Sequence, residues 1–175
     1  IMFNLFTLFL VAIGLSMDTF SLSIVYGTIG LTKKKIWLLS IIVDLFHFVM
    51  PFLGNLIGSI VLSKLPFNPA IVVGIIFILI ALEMFIGDDE VMPLDKIGAF
   101  LIFGFSVSLD SFSVGLGISM ITNYPLLGYF IFSLVSFLFT YIGLKFGKFL
   151  NDKFGKYAVF LGAVILIILG LFYIF

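Results

Sequence analysis

Six long apolar runs divided by short polar turns leave this chain little choice of fold. The first runs from about Phe3 to Ile29 and ends at Lys33-Lys34-Lys35. The second, Ile36 to about Leu62, ends at Lys64-Leu65-Pro66-Phe67-Asn68-Pro69. The third, Ala70 to Ile86, gives way to an acidic turn, Asp88-Asp89-Glu90 through Lys96. The fourth, Ile97 to Ile121, closes at Thr122-Asn123-Tyr124-Pro125. The fifth is Leu126 to about Phe146, and a polar, basic stretch from Lys148 to Lys156 separates it from the sixth, Tyr157 to Phe175. Each run is long enough to cross a hydrocarbon layer of roughly 30 Å. Backbone polar groups in lipid must be satisfied internally, so the runs are expected to be helices. Their unbroken apolar character lacks the alternation of barrel strands. The expected fold class is an all-α integral membrane protein of six transmembrane helices, forming a single transmembrane domain over 1–175.

Composition agrees. The chain is 63% hydrophobic and 10% charged, where soluble domains carry about a quarter charged residues. It has no cysteine, which excludes disulfides and thiolate metal sites. Its formal net charge is zero, so no nucleic-acid partner is expected. No phosphate-binding glycine loop is present, and the turns are too short for a nucleotide-hydrolysing domain, so no nucleotide partner is expected. The first run has neither a basic leader nor a small-residue cleavage site and is read as a retained span.

Lysine placement orients the bundle. Lys33 to Lys35, Lys96, and Lys145, Lys148, Lys153 and Lys156 all fall in odd-numbered loops, leaving only Lys64 in an even one. The positive-inside rule then puts the odd loops in the cytoplasm and both termini outside.

One seven-residue motif occurs twice. Ser16-Met17-Asp18-Thr19-Phe20-Ser21-Leu22 returns 92 residues later as Ser108-Leu109-Asp110-Ser111-Phe112-Ser113-Val114. The copies lie in the first and fourth runs, which cross in opposite directions under this orientation. The chain is therefore expected to be two inverted three-helix repeats, about 3–87 and about 97–175. Ala70-x-x-x-Gly74 and Ala158-x-x-x-Gly162 echo each other more weakly. Inverted repeats around a polar site near mid-depth are a common transporter plan.

Asp18 and Asp110 each lie near the middle of their run. A carboxylate at bilayer depth costs roughly 2.5–3.5 kcal/mol on insertion scales, and meeting that cost twice in one motif suggests a shared task. Asp18 shares a helical face with Gly14 and Ser21, and Asp110 with Ser106, Ser113 and Gly117. In the second run Asp44 and His47 lie one turn apart. Pro51, four residues on, cannot donate to the His47 carbonyl and is expected to kink the helix. Glu83 sits near the cytoplasmic end of the third run, where it is expected to reach the interface or pair with a lysine, with a vestibule or coupling role as the alternative. Gly54-x-x-x-Gly58 and Gly143-x-x-x-Gly147 read as close-packing surfaces.

A site of Asp18, Asp110, His47, Asp44, Ser21 and Ser113 would suit a hard divalent cation, and the imidazole tilts it toward Mn²⁺ or Fe²⁺. The ion would be transported substrate, with no permanently bound cofactor, and a gradient would drive it. Proton exchange at an aspartate or at His47 is one way to couple the two.

Three segments carry a family resemblance across essentially the whole chain. Gly14-Leu15-Ser16-Met17-Asp18-Thr19-Phe20-Ser21, Phe46-His47-Phe48-Val49-Met50-Pro51-Phe52-Leu53-Gly54, and Ser108-Leu109-Asp110-Ser111-Phe112-Ser113-Val114-Gly115 resemble the MntP-type manganese efflux pumps. These are small bacterial inner-membrane proteins of the lysine-exporter-like group. The resemblance implies Mn²⁺ export across the bacterial cytoplasmic membrane, with Asp18 and Asp110 matching the family's two membrane aspartates. The chain departs from that pattern at His47, where the family usually has glutamine or glutamate, at Asp44, which replaces a small residue, and at Glu83. A sporulation-associated branch of membrane proteins shares the pattern. A non-transporting role of that kind, or export of another small cation, is the alternative reading.

Overall fold

A computed structural model describes residues 2–28, 30–62, 69–86, 96–147 and 152–174. The Lys64 turn, the Asp88-Asp89-Glu90 turn and the Lys148 end of the basic stretch lie outside the described residues, as does the side chain of Glu83. The described residues form seven helices: α1 (Met2–Thr28), α2 (Lys33–Leu62), α3 (Pro69–Ile86), α4 (Ile97–Ser106), α5 (Leu109–Ile121), α6 (Pro125–Phe146) and α7 (Asp152–Ile174).

Two boundaries differ from the hydropathy reading. The α2 helix begins at Lys33, so the lysine triplet is its first turn, and α7 begins at Asp152, five residues before the last apolar run. Lysine is a good helix former, and a helix can continue past the hydrocarbon edge wherever its side chains reach water. The larger difference is in the fourth run, which is two helices bent by 43° at Val107-Ser108. The distortion expected at Pro51 is not a break, because α2 passes through that proline as one helix.

By length and composition, three of the described helices can each cross a membrane: Leu5–Thr28, Lys33–Ile60 and Pro125–Phe146. The bent pair α4–α5 makes a fourth if counted as one span, and Ala163–Phe172 is a shorter apolar helix. The surface is apolar, with Phe6, Leu45, Leu56, Leu79, Leu134 and Ile168 all more than half exposed. The interior instead holds polar side chains, among them Ser16, Thr19, Ser23, His47, Ser108, Ser136 and Thr140, all fully buried. Lipid tails solvate the outside, and the polar groups turn inward, where they can meet one another.

Packing follows a pattern that survives exchange of the two halves. The α1 helix packs on α6 and α7, whereas α5 packs on α2 and α3; α2 meets α6 and α3 meets α7. Glycines set the closest approaches. A Cβ added at Gly54 would overlap the Phe112 carbonyl, and one at Gly58 the Leu116 carbonyl. In the other half, a Cβ at Gly143 would lie 3.0 Å from the Phe20 carbonyl oxygen, and one at Gly147 would overlap the Ile24 carbonyl. Phe20 and Ile24 are 92 residues before Phe112 and Leu116, while Gly143 and Gly147 are 89 after Gly54 and Gly58. The two glycine pairs therefore dock on equivalent carbonyls, which is why each needs glycine at that spacing. Residue numbers rise together across both interfaces, so α1 runs parallel to α6 and α2 parallel to α5. On α3 and α7 the close approach joins Gly74 with Gly170 and Ile174, and Gly170 with Ile78, an antiparallel contact. The partner of Gly74 in this contact is thus Gly170.

Candidate functional site

The break in the fourth run decides where Asp110 sits. Val107 N–H donates to the Phe103 carbonyl (3.0 Å), four residues back, but Ser108 N–H reaches only to Phe105 (3.2 Å). The Ser108 hydroxyl donates to the same Phe105 carbonyl at 2.9 Å. A serine bonding back to its own helix competes with the ladder and bends it. The α5 helix then restarts with Asp110 in its first turn, where the positive end of the helix dipole favours a carboxylate. Asp110 Oδ1 also accepts the Ser111 N–H at 2.6 Å. Ser106 ends α4, on the far side of the bend, so it no longer shares a continuous face with Asp110 and Ser113. Ser113 is part-exposed, and its hydroxyl donates to the Leu109 carbonyl at 3.4 Å.

Asp18 has a different setting. It lies in the middle of the unbroken α1 and is half-buried, with Ser21, one turn on, almost fully buried.

His47 is fully buried on α2. Its Nδ1 lies 3.0 Å from the Val43 carbonyl. A carbonyl only accepts, so Nδ1 carries the hydrogen and, in the neutral ring, Nε2 presents a lone pair. Nε2 is buried and has no partner. Two contacts fix its height. A Cβ on Gly104 of α4 would lie 2.8 Å from both Ile42 and Phe46 of α2, and one on Gly115 of α5 would overlap the Pro51 backbone. Between these points α2 carries His47 and the facing strand of chain carries the Val107-Ser108 break. Imidazole and break therefore share one level, with Asp110 two residues beyond.

Asp44, one turn from His47, accepts a short hydrogen bond from the Ser133 hydroxyl of α6. Ser133 is 89 residues after Asp44, the offset of the two glycine pairs, so these are equivalent positions meeting each other where α2 crosses α6. Among the described residues, no group of three His, Asp or Glu side chains is placed to hold one ion. The structure thus sets His47 level with the break that precedes Asp110, and ties Asp44 to Ser133.

A polar seam between α1 and α6 was not singled out from the sequence. Ser16 and Ser136 hydroxyls are 2.9 Å apart, and the Thr19, Ser23 and Thr140 hydroxyls are buried without partners. Its signal was available as Ser16-x-x-Thr19-x-x-x-Ser23 facing Ser136-x-x-x-Thr140-x-x-Gly143, hydroxyls and glycine at helical spacing.

Apolar outside, polar inside, with an acid at a broken helix, the chain is a multi-pass membrane protein with the marks of a transporter. A family model described as "Mntp: Putative manganese efflux pump" matches residues 30–174. A protein named "Putative manganese efflux pump MntP" from Bacillus licheniformis is 31% identical over 173 residues, covering 96% of this chain and 92% of that protein. Proteins of the same name from Bacillus cereus strain G9842 and Bacillus pumilus are each 33% identical, covering 98% and 96% of this chain and 97% and 94% of those proteins. The chain belongs to the MntP family. No solved structure matches it.

Proposed function

We propose that the chain exports a divalent metal cation, Mn²⁺ first among them, from the bacterial cytoplasm through a site with one aspartate from each half. The metal is the substrate, and a gradient drives it. Asp18 and Asp110 supply the two carboxylates, which offset the ion's charge in a low-dielectric interior. Ser21 and Ser113 belong to the same repeated motif, and His47, which this structure does not gather with both aspartates into one group, is the candidate nitrogen ligand. Oxygen ligands with a single nitrogen suit Mn²⁺ better than softer ions. Asp44 lies at the next turn, and Glu83 belongs to the inner vestibule.

The observation that carries this reading is the unpartnered His47 Nε2 on a helix packed against the break that precedes Asp110 by two residues. Broken helices next to an intramembrane acid are how many transporters expose polar groups to an ion at mid-depth. The exchange pattern of the packing supports six crossings arranged as two inverted halves, with both termini outside and the lysine-rich odd loops in the cytoplasm. The relatives' shared name supports manganese as cargo.

The test is growth of a manganese-sensitive bacterial strain that lacks its own exporter. Wild-type protein is expected to restore growth and lower cell manganese. Asp18→Asn and Asp110→Asn at equal membrane levels are each expected to abolish that protection. Full protection by both variants would contradict the reading. Cobalt and cadmium in the same assay give the selectivity.

A further inference from the structure

A crevice of about 380 Å³ lies where the end of α1, the start of α2 and the last turns of α6 meet. Gly27 and Gly30 line it, and Gly27 lets α1 approach α6 so closely that an added Cβ would lie 2.7 Å from the Leu144 carbonyl oxygen. Gly30 has a positive φ of 78°, and its N–H closes a turn on the Gly27 carbonyl at 3.2 Å. Lys33 and Lys145 stand on its two sides. Neither has an acidic partner among the described residues. Lys145 Nζ instead lies 5.4 Å over the Tyr141 ring. Ile36 and Leu144 make one wall apolar. At the rim Trp37, half-exposed, packs its ring 5.3 Å from Tyr141 and 5.7 Å from Phe137.

Two ammonium groups repel a divalent cation, so this crevice is not the mouth of the export route. Its charge calls for an anion. Its apolar wall calls for a ligand with a hydrocarbon part, since a free anion would leave that wall wet. The aromatic rim is the kind that settles at lipid headgroup level. We propose that this crevice binds the phosphate headgroup of an anionic phospholipid. Lys33 and Lys145 hold the phosphate, and the apolar wall takes the first carbons of an acyl chain. Basic pockets between membrane helices recognise acidic lipids in this way. The proposal does not depend on which ion is transported.

Native mass spectrometry of the purified chain in neutral detergent tests it, with phosphatidylglycerol, phosphatidylcholine or inorganic phosphate added. Phosphatidylglycerol is expected to be retained in preference to phosphatidylcholine, and inorganic phosphate not at all. Lys33→Gln with Lys145→Gln is expected to weaken that retention on the order of tenfold or more. Lys34→Gln, exposed and outside the crevice, is expected to leave it unchanged. Melting in phosphatidylcholine checks that the variants fold, and Lys145→Gln alone serves if the double variant does not. Equal retention of the two lipids would overturn the proposal. So would undiminished phosphatidylglycerol binding by the lysine variants, or binding of inorganic phosphate as strong as that of the lipid.

Discussion

The α1–α6 and α2–α5 interfaces are built on one plan, but they treat one equivalent pair of positions differently, and only the second has a broken helix there. In both, a glycine pair docks on two backbone carbonyls of the helix that carries the aspartate motif. In α1–α6 the next polar pair is closed, with Ser16 and Ser136 hydrogen-bonded at 2.9 Å on an unbroken helix. The equivalent positions in α2–α5 are Ser108 and His47, by the same offsets of 92 and 89. There the serine hydroxyl turns back to Phe105, the helix breaks, and the imidazole keeps a buried Nε2 without a partner. The first seam closes this pair across the helices, although the Thr19, Ser23 and Thr140 hydroxyls beside it stay unpartnered. The other keeps a donor atom and a helix end available at the level of an acid. Two copies of one motif need not do equal work, and the unequal position marks where to look for function.

That contrast sets the order of expected effects. His47→Ala removes the available nitrogen and is expected to cut manganese transport into inverted vesicles by about tenfold or more, within the range seen when a ligand's surroundings are disturbed. Ser136→Ala, at the equivalent position, is expected to leave transport within about twofold while costing about 1 kcal/mol of stability through the lost bond. Equal transport losses in the two would erase the distinction between the seams.

The shared plan is tested by the glycines. Gly58→Ala and Gly147→Ala each push a methyl group into a backbone carbonyl, and each is expected to destabilise by about 1–3 kcal/mol in a detergent unfolding assay. The two values should be similar. Gly98→Ala, with nothing within 4 Å of the added carbon, is expected to stay within about 0.5 kcal/mol. A harmless Gly147→Ala beside a damaging Gly58→Ala would break the equivalence. The smallest effects concern the α2–α6 crossing. Asp44→Asn keeps an acceptor for the Ser133 hydroxyl and is expected to cost only a few tenths of a kcal/mol, whereas Ser133→Ala leaves a partly buried carboxylate short of a donor and is expected to cost about 1–2 kcal/mol.

Much of this was legible in the sequence. Hydropathy located the apolar segments, because a helix in lipid needs an apolar run of bilayer length and the ends of α1, α3 and α6 follow directly from that. The repeat and the two glycine pairs were also readable as strings. The break at Val107-Ser108 was not. It contains neither glycine nor proline, and a serine bonding back to its helix is an ambiguous signal. Ser40 donates to the Ile36 carbonyl at 2.9 Å without interrupting α2, whereas the similar bond of Ser108 sits at a 43° bend. The obvious distorting residue, Pro51, instead lies within a continuous helix, its backbone packed against Gly115. Asp44 was readable as a candidate ligand, but its bond to Ser133 depends on how the halves cross, which no local pattern states.

Anomalous diffraction at the manganese edge, from crystals grown with Mn²⁺, bears most directly on the two-aspartate site. The expected result is one strong peak coordinated by Asp18 and Asp110 on the His47 side of the break, lost in Asp110→Asn. A peak that touches neither aspartate, or one that persists unchanged in Asp110→Asn, would contradict it.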